Sequence, residues 1–226
     1  MKLLALDTAT ENCSAALLLG TRLLTREAQF ARGHAEHILP MVDALLAEAG
    51  LGLAALTAIA FGRGPGSFTG VRLAASLAQG LAFGAELPVV PVSDLQALAQ
   101  RGFDLDSSIE RALVCHDARM QEVYWACFER RDGWAAPAGP EHVGPPQSVR
   151  PPTGAQLAGF GGGFAAYPRL RALEGITVDP AWERLLPRAA EIARLAAREV
   201  QAGGLLAPEA ALPVYLRDTV ARPSSS

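Results

Sequence analysis

The sequence predicts an α/β protein made of two related lobes, each with a mixed β-sheet. Two short apolar runs at residues 3–6 and 14–19 flank a turn-rich segment, which is the pattern of a β-hairpin. A second hairpin is predicted from the runs at 112–115 and 123–128. Segments with helical spacing follow each hairpin, as in sheets whose strands are joined by crossover helices. Both halves of the chain thus begin with a hairpin.

Strands and helices alternate through the first half of the chain. The predicted elements are a strand at about 23–30, a helix at 35–49, a strand at 58–61, a helix at 67–83 and a strand at 88–92. Gly50 supplies a stop for the first of these helices. A further helix follows the last strand, and either Ser93 or Asp94 can cap it.

The second half is less regular. Of the 31 residues at 133–163, 14 are Gly or Pro, so this stretch is predicted to be largely loop. A strongly patterned helix is expected at about 188–201, with the option that it packs back on the first lobe. The lobes are assigned to residues 1–101 and 102–226, and the tail at 222–226 is expected to be flexible.

The composition excludes several classes of protein. The 226 residues carry a formal net charge of −3, which leaves no basic field to hold a nucleic-acid backbone. The single lysine, Lys2, opens the chain, whereas a P-loop and a Schiff-base enzyme both need a lysine in the site. No apolar run reaches the roughly 18 residues of a membrane span. Three cysteines without CxxC spacing indicate reduced thiols, so a cytoplasmic protein is expected.

A glycine-rich turn leads from a predicted strand into a helix at residues 62–72. Such a turn can cradle an anion, because glycines let the backbone approach and a helix start offers free N–H groups. The alternative is a tight strand-to-helix connection capped by Ser67 or Thr69. A vestigial phosphate or nucleotide site between the lobes is predicted here, formed by Asp7, Thr8, Gly64, Gly66, Ser67 and Asp117. For the two aspartates, a turn-forming role is the alternative.

The helix at 67–83 is expected to be buried on more than one side. Its polar residues form only a narrow stripe, and apolar residues cover the rest. Gly70, Ala74 and Ala78 at four-residue spacing give a smooth face that a second helix can approach, from this chain or another. Burial between the two lobes is the alternative.

The assembled motifs resemble the TsaB (YeaZ) family of tRNA threonylcarbamoyladenosine biosynthesis proteins, which belongs to a wider TsaD and glycoprotease-like group. The matching segments are LDTAT at 6–10, GRGPGSFTGVR at 62–72, QGLA at 79–82, DARMQEVY at 117–124 and PVYLR at 213–217. The second and fourth of these segments are the most specific. The Gly/Pro-rich region at 133–187 gives the weakest match.

This resemblance implies a two-lobe fold of the actin, sugar-kinase and heat-shock-chaperone ATPase type with a degenerate active site. It also implies a part in forming t6A, the threonylcarbamoyl group on adenosine 37 of tRNAs that read ANN codons. In that system TsaD is catalytic, TsaE is an ATPase, and TsaB is a non-catalytic scaffold that meets tRNA only through the complex. Active relatives carry a His-x-x-x-His metal motif where this chain has Asp94 and Leu98. No enzyme activity, metal or cofactor is therefore expected.

The resemblance also implies a partner surface on the helices at about 34–49 and 67–83, which would dock TsaD or, in its absence, a second copy of the chain. Its expected residues are His34, Ile38, Met41, Val42, Leu45, Thr69, Gly70, Leu73, Ala74, Leu77, Ala78 and Leu81. A charge introduced at Ala74 or Ala78 is expected to abolish pairing and leave the fold intact. The competing hypothesis is a small magnesium-dependent ATPase or phosphotransferase that uses the cleft between the lobes.

Overall fold

The computed structural model describes residues 1–217, so the tail expected at 222–226 lies outside the described residues. Eleven strands form two sheets: β1 (Lys2–Asp7), β2 (Asn12–Leu19), β3 (Arg22–Gln29), β4 (Ala58–Gly62), β5 (Val89–Val92), β6 (Arg111–Asp117), β7 (Val123–Arg131), β8 (Trp134–Pro137), β9 (His142–Gly144), β10 (Leu157–Phe160) and β11 (Ile176–Thr177). The helices are α1 (His34–Ala49), α2 (Phe68–Gly84), α3 (Asp94–Leu105), α4 (Gly163–Ala166) and α5 (Ala189–Gln201).

The first sheet has the strand order β3-β2-β1-β4-β5. Strands β1, β2 and β3 are antiparallel neighbours, whereas β4 and β5 join in parallel, so the sheet is mixed. Nearly every residue of β1, β2 and β4 is buried, because helices cover both faces of these central strands. Such strands are continuously apolar rather than alternating.

Helices α1 and α2 cover one face of the first sheet, where they pack on Leu4, Leu6 and Phe61. Gly50 ends α1 in the left-handed conformation with φ 64, as its position in the sequence predicts. The side chain of Ser67 caps α2 by accepting a hydrogen bond from the Gly70 N–H.

The second sheet has the order β11-β10-β6-β7-β8, with β9 also paired to β7. It contains parallel and antiparallel pairs, which confirms the predicted α/β class with two mixed sheets. Most of the stretch at 133–163 lies outside strands, as predicted, but it also contains three short strands that were not predicted, β8, β9 and β10. Strand β10 is only four residues long. Its glycine lets it pack closely, since a Cβ at Gly159 would lie 2.7 Å from the Phe164 ring.

Helices α3 and α5 connect the two halves of the molecule. Leu98 and Phe103 of α3 pack in the core of the second sheet, although α3 precedes that sheet in sequence. Helix α5 comes from the end of the chain, yet Ile192 and its neighbours pack on the first sheet, on the face opposite α1 and α2. A hydrogen bond of 2.9 Å from the Ala189 N–H to Ser14 Oγ holds the start of α5 there. Among residues 1–217, no helix combines the length and apolar character that crossing a bilayer requires.

Candidate functional site

A cleft of about 1430 Å³ lies between the two halves of the molecule. One wall is formed by the β1–β2 turn and the start of α2, and the other by the β6–β7 turn. The segment at 214–217 also lines it. The cleft is the place where the sequence predicts a vestigial phosphate site, and Thr8, Gly66, Ser67 and Asp117 all line it.

The glycine-rich turn is closed against the β1–β2 turn of the same chain. A Cβ at Gly66 would lie 2.5 Å from the Ala9 carbonyl oxygen, so only glycine permits this approach. The Ser67 N–H donates to Ala9 O at 2.7 Å, and the Gly70 N–H donates to Ser67 Oγ at 3.0 Å. These amides are therefore engaged within the protein and do not point at an anion. The geometry matches the tight connection capped by Ser67.

Asp7 does not line the cleft, because it is fully buried beside Asp94. Asp7 Oδ1 accepts from the Ala9 N–H at 2.8 Å, and Asp94 Oδ2 accepts from the Gly64 N–H at 2.5 Å. The two carboxyl groups meet over Gly62, where a Cβ would lie 2.4 Å from Asp94 Oδ1 and 3.1 Å from Asp7 Oδ1. Asp7 Oδ2 and Asp94 Oδ1 are both buried without a hydrogen-bond partner among residues 1–217.

A hydrogen bond between these two carboxyl groups requires that one of them is protonated. Burial raises the pKa of Asp7 to about 6, and burial together with the charge of Asp7 raises the pKa of Asp94 well above its usual range. Two carboxylates in contact cannot both ionise without a large cost in free energy. A protonated Asp94 donates to Asp7 and removes the repulsion between two charges. We call this arrangement the carboxyl pair.

The structure does not bring Asp7 and Asp117 into one site. Asp117 lies across the cleft, where its Oδ1 accepts from the Arg119 N–H at 2.9 Å and from the Tyr167 hydroxyl at 3.1 Å. Its Oδ2 pairs with the Arg119 guanidinium at 3.0 Å. Within the described range 1–217, no cluster of three or more His, Cys, Asp or Glu side chains has a geometry suited to a metal ion.

The two histidines near the start of α1 contact the turn after β1 and the residue that follows β3. His34 Nε2 lies 2.8 Å from the Thr10 carbonyl oxygen, and the His37 ring stacks on Phe30 with centroids 4.0 Å apart. Both side chains help to hold α1 against the sheet.

The twelve residues expected on a partner surface separate into two groups. Six are buried in the core of the chain itself: Ile38, Val42, Leu45, Gly70, Ala74 and Ala78. The others are half-buried or exposed: His34, Met41, Thr69, Leu73, Leu77 and Leu81. The small residues of α2 therefore face inward, contrary to the expectation, because they let the helix lie close to the strands beneath it.

Because Ala78 is fully buried, the expected effect of a charge there changes. Ala78→Glu should unfold or strongly destabilise the chain, by about 3 kcal/mol or more, since a carboxylate would enter an apolar core. Urea denaturation measures this loss. Ser76→Glu is the matched control because Ser76 is exposed on the same helix, and it should leave the midpoint nearly unchanged. A folded Ala78→Glu protein of parental stability would contradict the burial of Ala78.

The outer face of α2 remains available to a partner. Thr69, Ser76 and Gly80 are exposed on it, Leu73 and Leu77 are half-buried, and Phe83 at its end is 70% exposed. A Cβ at Gly80 would meet nothing within 4 Å, so no contact within residues 1–217 requires glycine there. Glycine inside a helix costs about 0.5–1 kcal/mol relative to alanine. Gly80 has no side chain and lies between Leu77 and Leu81, so the surface of α2 there is suited to the close approach of a second helix.

The paired mixed sheets, the cleft between them and the strand–glycine turn–helix unit define a two-lobe protein of the actin and sugar-kinase fold class. In this chain the glycine turn between β4 and α2 packs on the β1–β2 turn through backbone contacts.

Comparison with known proteins narrows this class. The family model of TsaD, tRNA N6-adenosine threonylcarbamoyltransferase, matches residues 27–150, which is more than half of the chain. The tRNA threonylcarbamoyladenosine biosynthesis protein TsaB of Haemophilus influenzae is 39% identical, with 97% of this chain and 95% of the relative covered. TsaB of Escherichia coli is 41% identical, with 98% and 96% covered.

Solved structures agree with the sequence relatives. YeaZ from Pseudomonas aeruginosa superimposes with a TM-score of 0.87 at 45% identity, covering 95% of this chain and 99% of that one. A second Pseudomonas aeruginosa structure, described as an uncharacterized protein with similarity to peptidase YeaZ, gives a TM-score of 0.88 at 46% identity, covering 96% and 99%. The chain belongs to the TsaB (YeaZ) family, as its motifs indicate.

Proposed function

We propose that this chain is a non-catalytic subunit of the machinery that forms threonylcarbamoyladenosine at position 37 of ANN-decoding tRNAs. It acts by pairing with the catalytic subunit TsaD, and the pair works with the ATPase TsaE. The names of its relatives support the pathway. Contact with tRNA is made through the assembled complex, which agrees with the net charge of −3.

The proposed pairing with TsaD is supported chiefly by the residues exposed on the outer face of α2. Its exposed glycine and small polar residues permit a partner helix to lie close, and its half-buried leucines supply apolar area for that helix to cover. Met41 on α1 is half-buried and packs beside the same core, so the surface extends onto α1. When TsaD is absent, a second copy of the chain pairs through this face.

The cleft supports a non-catalytic role. In its glycine turn the Ser67 N–H donates to Ala9 O and the Gly70 N–H donates to Ser67 Oγ, and Asp7 lies buried beside Asp94 outside the cleft lining. These two amides and the Asp7 carboxyl are therefore not free to position a phosphate or its counter-ion. The inter-lobe ATPase or phosphotransferase remains the alternative, and magnesium-dependent ATP hydrolysis by the pure chain would favour it.

Gly80→Arg is expected to abolish pairing and preserve the fold. The arginine side chain would occupy the space that a partner helix needs, while nothing within the described chain opposes it. Size-exclusion chromatography with light scattering, on the chain alone and after addition of TsaD from the same source, measures the result. The parent should form a dimer that converts into a one-to-one complex, and the variant should remain a monomer in both samples.

Gln201→Arg is the matched control, because it adds the same charge at an exposed position of α5, on the opposite side of the first sheet. It should pair like the parent. If Gly80→Arg also forms the one-to-one complex, the α2 face is not the docking surface.

A further inference from the structure

Arg72 lies exposed on the outer face of α2, where two aromatic side chains hold its guanidinium. Its Cζ lies 3.7 Å from the centroid of the Phe68 ring, and its Nε donates to the Tyr215 hydroxyl at 2.6 Å. The two rings are themselves 5.9 Å apart, and they remain 45% and 46% exposed. Three side chains thus form a small exposed cluster, which we call the arginine clamp.

The segment that carries Tyr215 is anchored on both sides. The Val214 N–H donates to Arg63 O at 2.8 Å, beside the glycine turn. On the other side, Arg217 donates to Ala118 O at 3.2 Å and pairs with Glu122 in the β6–β7 turn. The hydroxyl that holds Arg72 is therefore fixed relative to both halves of the molecule, and so is the guanidinium.

In the arginine clamp, the terminal Nη groups of Arg72 make no hydrogen bond to residues 1–217. Among residues 1–217, only the Nε of Arg72 has a hydrogen-bond partner, and no carboxylate lies within 4.0 Å of Arg72. The terminal Nη groups carry four further N–H donors in one plane. That plane matches the two oxygens of a carboxylate, which makes a bidentate pair.

We propose that Arg72 is a specificity-determining contact of the docking face, and that its terminal Nη groups bind an aspartate or glutamate side chain on the partner's docking helix. This inference rests on the proposed function, because it assumes that TsaD covers α2. Arg72 is one helical turn from Ser76 and two from Gly80, so a helix that crosses at Gly80 passes the clamp. Holding the guanidinium in place beforehand reduces the conformational entropy lost on binding.

A protein carboxylate fits this position better than a nucleic-acid phosphate. The neighbouring positions on the face are small or apolar, and an exposed arginine stacked on aromatic rings is typical of the centres of protein interfaces. A nucleic-acid backbone needs several cations along one track, whereas the chain as a whole carries a net charge of −3.

The test is calorimetric titration of TsaD into the parent, Arg72→Gln, Arg72→Lys and Tyr215→Phe, at about 0.05 M and 0.5 M salt. Arg72→Gln should weaken binding about 10–100-fold at the lower salt and flatten its salt dependence. Arg72→Lys keeps the charge but loses the planar guanidinium, so its affinity should fall between those of the parent and Arg72→Gln. Tyr215→Phe frees the guanidinium and should weaken binding about threefold. Thermal melts should show all four chains folded.

Three outcomes would overturn the inference. If Arg72→Gln binds TsaD with parental affinity and salt dependence while Gly80→Arg does not bind, the docking face stands and the arginine contact fails. If both variants bind TsaD like the parent, the docking face and the arginine contact both fail, whereas a parent that does not bind TsaD would contradict the proposed function itself. If Arg72→Gln leaves TsaD binding unchanged but weakens tRNA binding by the assembled complex, Arg72 contacts phosphate instead.

Discussion

Gly70→Ala is expected to destabilise the folded chain by about 3 kcal/mol or more. A Cβ at residue 70 would lie 2.0 Å from the Thr8 carbonyl oxygen and 3.0 Å from its carbon, and neither is a flexible atom that can move aside. The same two residues are joined by a hydrogen bond of 2.7 Å from Thr8 Oγ1 to Gly70 O. Separating them would disturb both the start of α2 and the end of β1.

Gly80→Ala is the control, because it makes the same substitution in the same helix at an open position. It should stabilise the chain by about 0.5–1 kcal/mol through helix propensity. Urea denaturation of the three proteins, with equal m-values, compares their free energies of unfolding. Parental stability of Gly70→Ala would show that β1 and α2 are not in the close contact described.

Asp94→Asn is expected to stabilise the chain near pH 8 and to flatten its pH dependence. The amide Oδ1 can still accept from the Gly64 N–H, and the Nδ2 group offers Asp7 a donor that Asp94 offers only when protonated. In the parent, burial and the charge of Asp7 raise the pKa of Asp94 well above its usual range. The stability that this carboxyl contributes is therefore full below about pH 4 and is lost progressively as the pH rises toward the raised pKa. Asparagine does not titrate, so the variant keeps only the loss that comes from Asp7, whose pKa burial raises to about 6.

Urea denaturation at about pH 4.5, 6 and 8 measures this effect. The parent should lose stability over the range, and Asp94→Asn should lose much less. Asp43→Asn, at an exposed position of α1, is the control for removing one negative charge and should follow the parent. A parent whose stability stays constant from pH 4.5 to 8 would mean that the carboxyl pair shares no proton.

Much of the fold could be predicted from local sequence patterns. The hairpin β1–β2, the helices α1 and α2, and the hairpin β6–β7 all follow from apolar spacing bounded by Gly or polar turns. Strand β10 could not be predicted in this way. Its LAGF sequence is short and surrounded by Gly and Pro, and it is a strand because it pairs with β6 in parallel. That pairing is a long-range contact without a local signal.

The site was predicted less completely, for two physical reasons. Helix α2 is apolar on most sides, so its spacing does not show which side faces the sheet, and the inward direction of Ala74 and Ala78 could not be inferred. The carboxyl pair joins residues on β1 and α3 that are far apart in sequence. Asp94 next to a capping serine is an ordinary helix start, and nothing local shows that it meets Asp7.

The placement of α5 has a consequence for how the chain folds during synthesis. All five strands of the first sheet have been synthesised by Val92, but one face of that sheet lacks α5 until residues 189–201 are made. Residues 93–188 are made in the interval, while Leu3, Ala5 and Ala60 lack the contacts that they make with α5 in the folded chain. The nascent first half therefore exposes one apolar face of its sheet to solvent, and α5 covers that face only at the end of synthesis.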